Sequence, residues 1–394
     1  MNRRRFAQWL ALYAATSRWH TAQFARGAEV AQNDGNSFEP ANVDDFQALA
    51  KAKLPPMVYD YITSGSTDQI TLRENVAAFQ RLQILPPILA GVGAVNTSTT
   101  VLKQRVKMPI LLAPVAAQRL YHPEGAKASA RAATALGTIQ GVSSSSANSV
   151  EEIAAASEGP KWLQLYPPRD RDVAERLVRR AEKAGYTAII VTVDLGERKD
   201  ADRRHRFALP EAMLRKHLND VGFAIDANMS YADMIRYNQQ AWDTALSWEF
   251  FAWLRDRTRL PLLVKGVLRV PDAQKAVAIG LDGIVVSNHG GRRLDGMPAS
   301  ISCLPAIVAA VGGKTEIVLD SGVRRGTDVL KALALGAKAV LVGRPYAWAL
   351  GADGERGVKM VMTLLHEEFT AAMHACGCAT VGDIKRDLIV IPNV

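Results

Sequence analysis

The 394-residue chain holds only three cysteines, Cys303, Cys376 and Cys378. An odd count with a single Cys-Gly-Cys pair forms neither a disulfide framework nor a four-cysteine metal site. All three therefore read as structural or incidental. No apolar stretch approaches the roughly 20 residues needed to cross a bilayer. The formal charge is +9, from 48 basic and 39 acidic residues. No basic–aromatic repeat, zinc-ligand spacing or long Lys/Arg block accompanies that excess, so the case for nucleic acid rests on charge alone. Anionic small ligands, a basic leader and solubility account for it better. No Gly-Lys-Ser/Thr loop is present, which argues against a nucleoside triphosphate. No Gly-x-Gly-x-x-Gly follows the first strand candidate at Leu111-Leu112, which argues against a doubly wound dinucleotide fold.

What remains is an ordinary globular mix, 48% hydrophobic and 22% charged, long enough for a large core. Residues 1–39 read as a leader and linker. Arg3, Arg4, Arg5 and Phe6 precede an apolar run from Trp9 to Ala15, which resembles a twin-arginine export signal. A basic amphipathic tail is the other reading. Export would place the protein in the periplasm, and its absence in the cytoplasm. Helical spacing begins near Asn42 with Val43, Phe46, Leu49 and Ala50.

From residue 109 strands and helices alternate. The strand candidates are 109–117, 138–144, 161–166, 188–194, 260–267, 283–289, 316–322 and 339–344, and helical patterns lie at 123–136, 172–184, 272–279, 326–334 and 355–375. Eight such units predict one closed (β/α)8 TIM barrel over residues 40–394 with an N-terminal helical extension. The long gap 195–258 after strand four reads as a lid.

Many strand candidates end in polar groups: Gln164 and Tyr166, Thr192 and Asp194, Lys265, Ser287, Asn288 and His289, Asp320, Arg344. In a barrel these ends converge on one face. The stretch Ser287-Asn288-His289-Gly290-Gly291-Arg292 stands out: a histidine exchanges protons near neutral pH and an arginine grips a carboxylate with paired hydrogen bonds. Glycine-rich turns follow strands seven and eight, Asp320-Ser321-Gly322-Val323-Arg324 and Gly343-Arg344-Pro345. That is the usual place for a phosphate in this architecture.

Taken in order, MVYDYITSG, APVAAQ, HPEGA, QLY, TVD, LLVKGV, SNHGGRRLDG, DSGVRRGTDVLKALALGA and VGRP resemble the FMN-dependent 2-hydroxy acid oxidase and dehydrogenase family, over residues 40 to 388. The family includes glycolate oxidase, lactate oxidase and mandelate dehydrogenase. The resemblance implies that FMN is the cofactor and that an L-2-hydroxy acid is oxidised to the 2-keto acid. It implies His289 as the base and Asp194 as its orienting carboxylate, an anion that by itself raises a histidine pKa. It further implies Arg292 as the carboxylate clamp and Tyr61 and Tyr166 as substrate hydrogen-bonding groups. Lys265, Gln164, Thr192 and Ser143 would surround the flavin ring, with the backbone of Pro114, Val115 and Ala116 along it. Asp320, Gly322, Arg324, Gly343 and Arg344 would form the phosphate end. The acceptor stays open among oxygen, a quinone and a cytochrome, and relatives often assemble as homotetramers.

Three departures from the family pattern bear on the substrate. The second carboxylate clamp falls on Lys199, or on Arg198 with a one-residue shift. Ile62 stands where glycolate oxidase has an aromatic residue. Ser145 lies roughly where glycolate oxidase carries a tryptophan, which opens space for a larger side chain. Two competing readings are another FMN barrel enzyme, such as a type 2 isopentenyl diphosphate isomerase, and a flavin-binding barrel that has lost catalysis. Neither uses His289 with Arg292 as a carboxylate site.

Overall fold

Eight parallel strands close into a barrel in sequence order. They are β1 Ile110–Leu112, β2 Gln140–Ser143, β3 Lys161–Leu165, β4 Ala188–Thr192, β5 Leu262–Val267, β6 Gly283–Val286, β7 Glu316–Asp320 and β8 Ala339–Val342. The computed structural model describes residues 39–195 and 208–392. The twin-arginine-like leader and both clamp candidates, Arg198 and Lys199, lie outside the described residues.

Every expected strand is present, and all but β5 are shorter at the C-terminal end; β5 ends at Val267 as expected and begins two residues later. The strand expected over 109–117 is paired only at Ile110–Leu112, because Pro114 has no N–H to extend the ladder. The same fraying frees Tyr166, Asp194 and His289 from the sheet, and it is what turns strand ends into a site.

Inward-facing Leu111, Ile139, Trp162, Ala188, Ile190, Leu263, Val285, Val318, Ala339 and Leu341 form one cluster with Val101, Leu102 and Val106. The last three belong to a two-stranded hairpin, Thr99–Val101 with Gln104–Val106. Leu102 N donates to Glu316 Oε2 at the start of β7, 2.9 Å. The hairpin therefore plugs the N-terminal mouth of the barrel, and only the opposite mouth is open to a ligand.

The N-terminal extension comprises α1 Val43–Lys53, α2 Pro56–Thr63 and α3 Ile70–Arg81. The barrel helices that follow include α4 Ala126–Leu136, α5 Val150–Ala155 and α6 Arg171–Lys183. In α6, Val173, Ala174, Leu177, Val178 and Ala181 are buried, the spacing of one apolar stripe. Asp170 caps it by accepting from Asp172 N, 2.9 Å. The segment expected as a lid carries α7 Glu211–Val221, α8 Tyr231–Gln240 and α9 Glu249–Arg255. The last buries Phe250, Phe251 and Leu254 just before β5. Then come α10 Val270–Ala278, α11 Ser300–Val311, α12 Gly326–Ala334 and α13 Arg344–Ala375. The helix expected over 355–375 is the second part of α13, which starts at Arg344 and breaks at Asp353 and Gly354. Among the described residues no helix is long and apolar enough to cross a membrane.

Candidate active site

The open mouth is dominated by residues 287–295. Beyond β6 the chain leaves the sheet through His289, whose φ of 59° is left-handed. Such a conformation is costly outside glycine, and it is held at both ends. Asn288 and Asn75 of α3 exchange reciprocal amide hydrogen bonds of 2.7 and 2.9 Å, both side chains buried. Asp295 accepts from Ile70 N, Thr71 N and Thr67 Oγ1 at 3.2, 2.8 and 3.0 Å. It satisfies the free amides at the start of α3. A Cβ on Gly291 would stand 2.6 Å from Leu72 N and 2.9 Å from Leu72 Cα, so the second of the two glycines is required by a close approach of backbone and not only by a turn.

His289 Nδ1 lies 2.9 Å from Asp194 Oδ1, and Tyr166 Oη lies 3.4 Å from His289 Nε2. The Tyr166 and His289 rings are nearly parallel, 12° apart in plane. Asp194 pulls the histidine pKa up as the sequence leads one to expect, but burial acts more strongly in the other direction, and Lys265 adds to it. The net result is a His289 pKa lowered to about 4. Burial opposes ionisation of Asp194 as well, yet the charges of His289 and Lys265 prevail and its carboxyl lies at about 2. At neutral pH the pair is thus a carboxylate holding a neutral imidazole, with Nδ1 as donor to Asp194 and Nε2 as acceptor, its lone pair on the Tyr166 hydroxyl at the mouth.

Arg292 points to the other side. Its Nη1 donates to the carbonyls of Tyr61, Ile62 and Ser64, at 2.6, 3.3 and 3.4 Å, and its guanidinium sits 4.8 Å from the Tyr61 ring centroid. Arg344 donates to the carbonyls of Ile62, Gly290 and Ser64 at 3.0, 2.9 and 3.0 Å. The end of α2 is thereby tied to the His289 turn. Lys265 donates to Ser287 Oγ, 2.8 Å, and pairs with Asp320 at 3.0 Å, all three buried. Burial disfavours its charge, but Asp320 and Asp194 outweigh this and keep the ammonium protonated. Ser287 Oγ also accepts from His289 N, 3.0 Å. Burial lowers Arg324 to about 10, so it stays cationic, and its guanidinium stacks on Trp348 at 5.3 Å.

These residues surround one cavity of about 850 Å³. Its lining brings together Tyr61, Pro114, Val115, Ala116, Gln164, Tyr166, Thr192, Lys265, His289, Arg292, Asp320, Gly322, Arg324, Gly343 and Arg344, as the sequence leads one to expect. Ser143 and Ser287 lie just behind it: Ser143 Oγ donates to Gln164 Oε1, 2.9 Å, and Ser287 bonds Lys265. Asp194 reaches it through His289. The sequence reading missed Asn75, Gly266 and the wall formed by Leu195, Asn238, Gln239, Trp242 and Thr244. Trp242 meets Tyr166 edge-on at 5.9 Å. No periodicity marks a side chain that crosses from the end of one helix to the end of a distant strand.

The site tests well for a flavin. Gln164 Nε2 and Thr192 Oγ1 are buried without a hydrogen-bond partner among the described residues, a costly state unless a ligand satisfies it. Thr192 is the register partner of the buried Lys265 on β5, and Gln164 lines the same cavity. At the other end of the cavity, Gly343 opens α13 beside Arg324, which places free helix amides and a cation together for a phosphate.

The fold and this site define a flavin-dependent oxidoreductase on a (β/α)8 barrel. Residues 50–391 match the family described as FMN-dependent dehydrogenase, and the chain belongs to that family, the FMN-dependent 2-hydroxy acid oxidases and dehydrogenases. It is 48% identical over 354 residues to human 2-hydroxyacid oxidase 1, covering 88% of this chain and 95% of the relative. It is 46% identical over 354 residues to glycolate oxidase of Spinacia oleracea, covering 89% and 96%. Among solved structures, a crystal structure of mandelate oxidase superposes with a TM-score of 0.80 at 41% identity, covering 89% of this chain and 98% of that one.

Proposed function

We propose that this protein oxidises an L-2-hydroxy acid larger than glycolate to the 2-keto acid, with FMN as its cofactor and oxygen as the final acceptor. The observation that carries this reading is the neutral His289, held by Asp194 at 2.9 Å, sharing one cavity with Arg292 on Tyr61. A base and a carboxylate cation facing one space suit a substrate whose hydroxyl and carboxylate sit on adjacent carbons. The names of the relatives, oxidases in each case quoted, support oxygen.

Gln164, Thr192 and Lys265 would hold the polar edge of FMN, the 114–116 backbone its face, and Gly322, Arg324, Gly343 and the start of α13 its phosphate. When bound, FMN takes up the two electrons of the oxidation and hands them to the acceptor. Arg292 and Tyr61 bind the substrate carboxylate, with the cation at Arg198 or Lys199 as the second arm. Tyr166 orients the hydroxyl. His289 Nε2 accepts one proton of the H–C–O–H group, the other hydrogen would leave with the two electrons to FMN, and Asp194 stabilises the imidazolium so formed. Ser145 leaves room beside Tyr166, and Trp242 forms the opposing wall for the substrate side chain. The twin-arginine-like leader supports export of the folded flavoprotein.

The test is anaerobic stopped-flow absorbance with glycolate, L-lactate, a long-chain 2-hydroxy acid and L-mandelate, followed by admission of air. Bleaching by the larger acids and rapid recolouring are expected. Slow recolouring rescued by a quinone analogue would transfer the enzyme to the dehydrogenases, and no bleaching by any acid would overturn the reading.

A further inference from the structure

Two consecutive arginines follow the His-Gly-Gly turn, and only Arg292 has a part in the chemistry above. Arg293 meets a different tyrosine. Its guanidinium carbon lies 5.8 Å from the centroid of the Tyr166 ring, and Arg293 lines the same cavity. Tyr166 in turn reaches His289 Nε2 at 3.4 Å, its ring nearly parallel to the imidazole. Arg293 is therefore stacked behind the hydroxyl-orienting tyrosine. Its backbone is fixed there, because Asn288 and Asp295 pin the segment on either side to α3.

We propose that Arg293 is a positioning residue for the acid/base group: its charge, held behind Tyr166, keeps His289 in the neutral form that can accept the substrate proton. The proposal rests on His289 being the base. Among the described residues, the charged and titratable groups that face His289 are Asp194 beyond β4, Tyr166 beyond β3, Lys265 on β5, Arg292 with Tyr61 across the shared cavity, and Arg293 itself. Asp194 favours the imidazolium, while Lys265 and Arg293 oppose it. Lys265 is already paired with Asp320 at 3.0 Å, which blunts its field at the imidazole. Arg293 also acts on Tyr166 and Asp194 with the same sign, favouring the ionised form of each. One guanidinium thus biases all three members of the relay.

The charge is partly exposed, so its effect is moderate and screened by salt. Removing a cation raises the pH at which the histidine protonates, and the acid limb of activity moves up with it. In the holoenzyme, R293Q is expected to shift the acid limb of kcat/KM upward by roughly half to one pH unit, R293K to keep the wild-type limb, and the R293Q displacement to shrink at high ionic strength. FMN content and the plateau rate at high pH should change little. Coincident acid limbs in wild type and R293Q would overturn the proposal. So would an equal shift in R293K, which would mean that shape and not charge matters. A raised KM at every pH with an unmoved limb would make Arg293 part of the carboxylate clamp instead. A wild-type enzyme that shows no reaction with any 2-hydroxy acid would count against the functional reading, whereas an active wild type with an unmoved limb counts against Arg293 alone.

Discussion

Gly266 and Asp194 are in closest approach where β5 passes β4: a Cβ added to Gly266 would stand 2.7 Å from Asp194 Cβ and 3.0 Å from its Cγ. Gly266 has a φ of 114° and sits at an irregularity in the β5–β6 pairing, between Lys265 and Val267. The bulge turns Lys265 inward, and the missing side chain lets the carboxylate come up to His289. Gly266→Ala should therefore push Asp194 off the imidazole. A fall in kcat of roughly 10- to 100-fold is expected, as for other small misplacements of catalytic groups. FMN absorbance and single-turnover reduction rates on the same sample check it.

His289→Ala should retain FMN and lose substrate reduction, by at least roughly 10²-fold, the usual size of a general-base contribution. Flavin bleaching under anaerobic conditions reads this directly, and near-normal turnover would remove His289 from its role.

Lys265→Met should destabilise the protein by several kcal/mol, roughly 3–5, because it leaves Asp320 buried without its cation. Among the described ion pairs this one is the least exposed, at 5% and 9% of the side chains. The double variant with Asp320→Asn should recover part of the loss in a thermal melt.

Ser145→Trp should reduce turnover of mandelate more than of glycolate, and Trp242→Ala should relax the selection among large side chains. The ratio of kcat/KM for the two acids is the measurement, since it isolates side-chain discrimination from carboxylate binding.

His217, on α7 and stacked 6.3 Å from Trp242, is buried, and that burial lowers it from 6.5 to about 4. His289 is lowered to the same value. As pH falls below about 6.5 the unfolded chain takes up these protons and the folded chain does not until about 4. Stability therefore declines across that window, for His217 by up to about 3 kcal/mol. Asp194, lowered to about 2, adds a further loss only below its ordinary carboxyl range. Urea midpoints between pH 7 and 4.5 should fall, and His217→Gln should flatten the slope.

The barrel was legible because eight apolar runs alternate with helical stripes, a pattern dictated by burial on both faces of each strand. Strand ends were read too long because apolar character continues past the last ladder bond, as in Pro114–Ala117. The residues of the mouth could be named one by one, since Asp194 and His289 close strand runs, Lys265 interrupts an apolar one and Arg292 follows the glycine turn. Their supports could not. Asn75 lies on a helix more than 200 positions from Asn288, and nothing local in either stretch announces the pair. Trp242 lies in the segment read only as a lid, and nothing local singles it out. The direction of the His289 pKa was misjudged by sequence because Asp194 is visible there and burial is not.

Arg344 bonds the carbonyls of Ile62 and Ser64, across about 280 positions of chain. Asn288 and Asp295 make similar returns to α3. The mouth is thus closed by contacts between the first helices and the last third of the sequence. During synthesis, a ribosome-bound chain that has already built six strands still has no finished site, because the residues that fix the base and its clamp have yet to emerge. The oxidoreductase is born inactive, and its site is assembled only in the final stage of folding, once the strand-six turn and Arg344 have met the first helices.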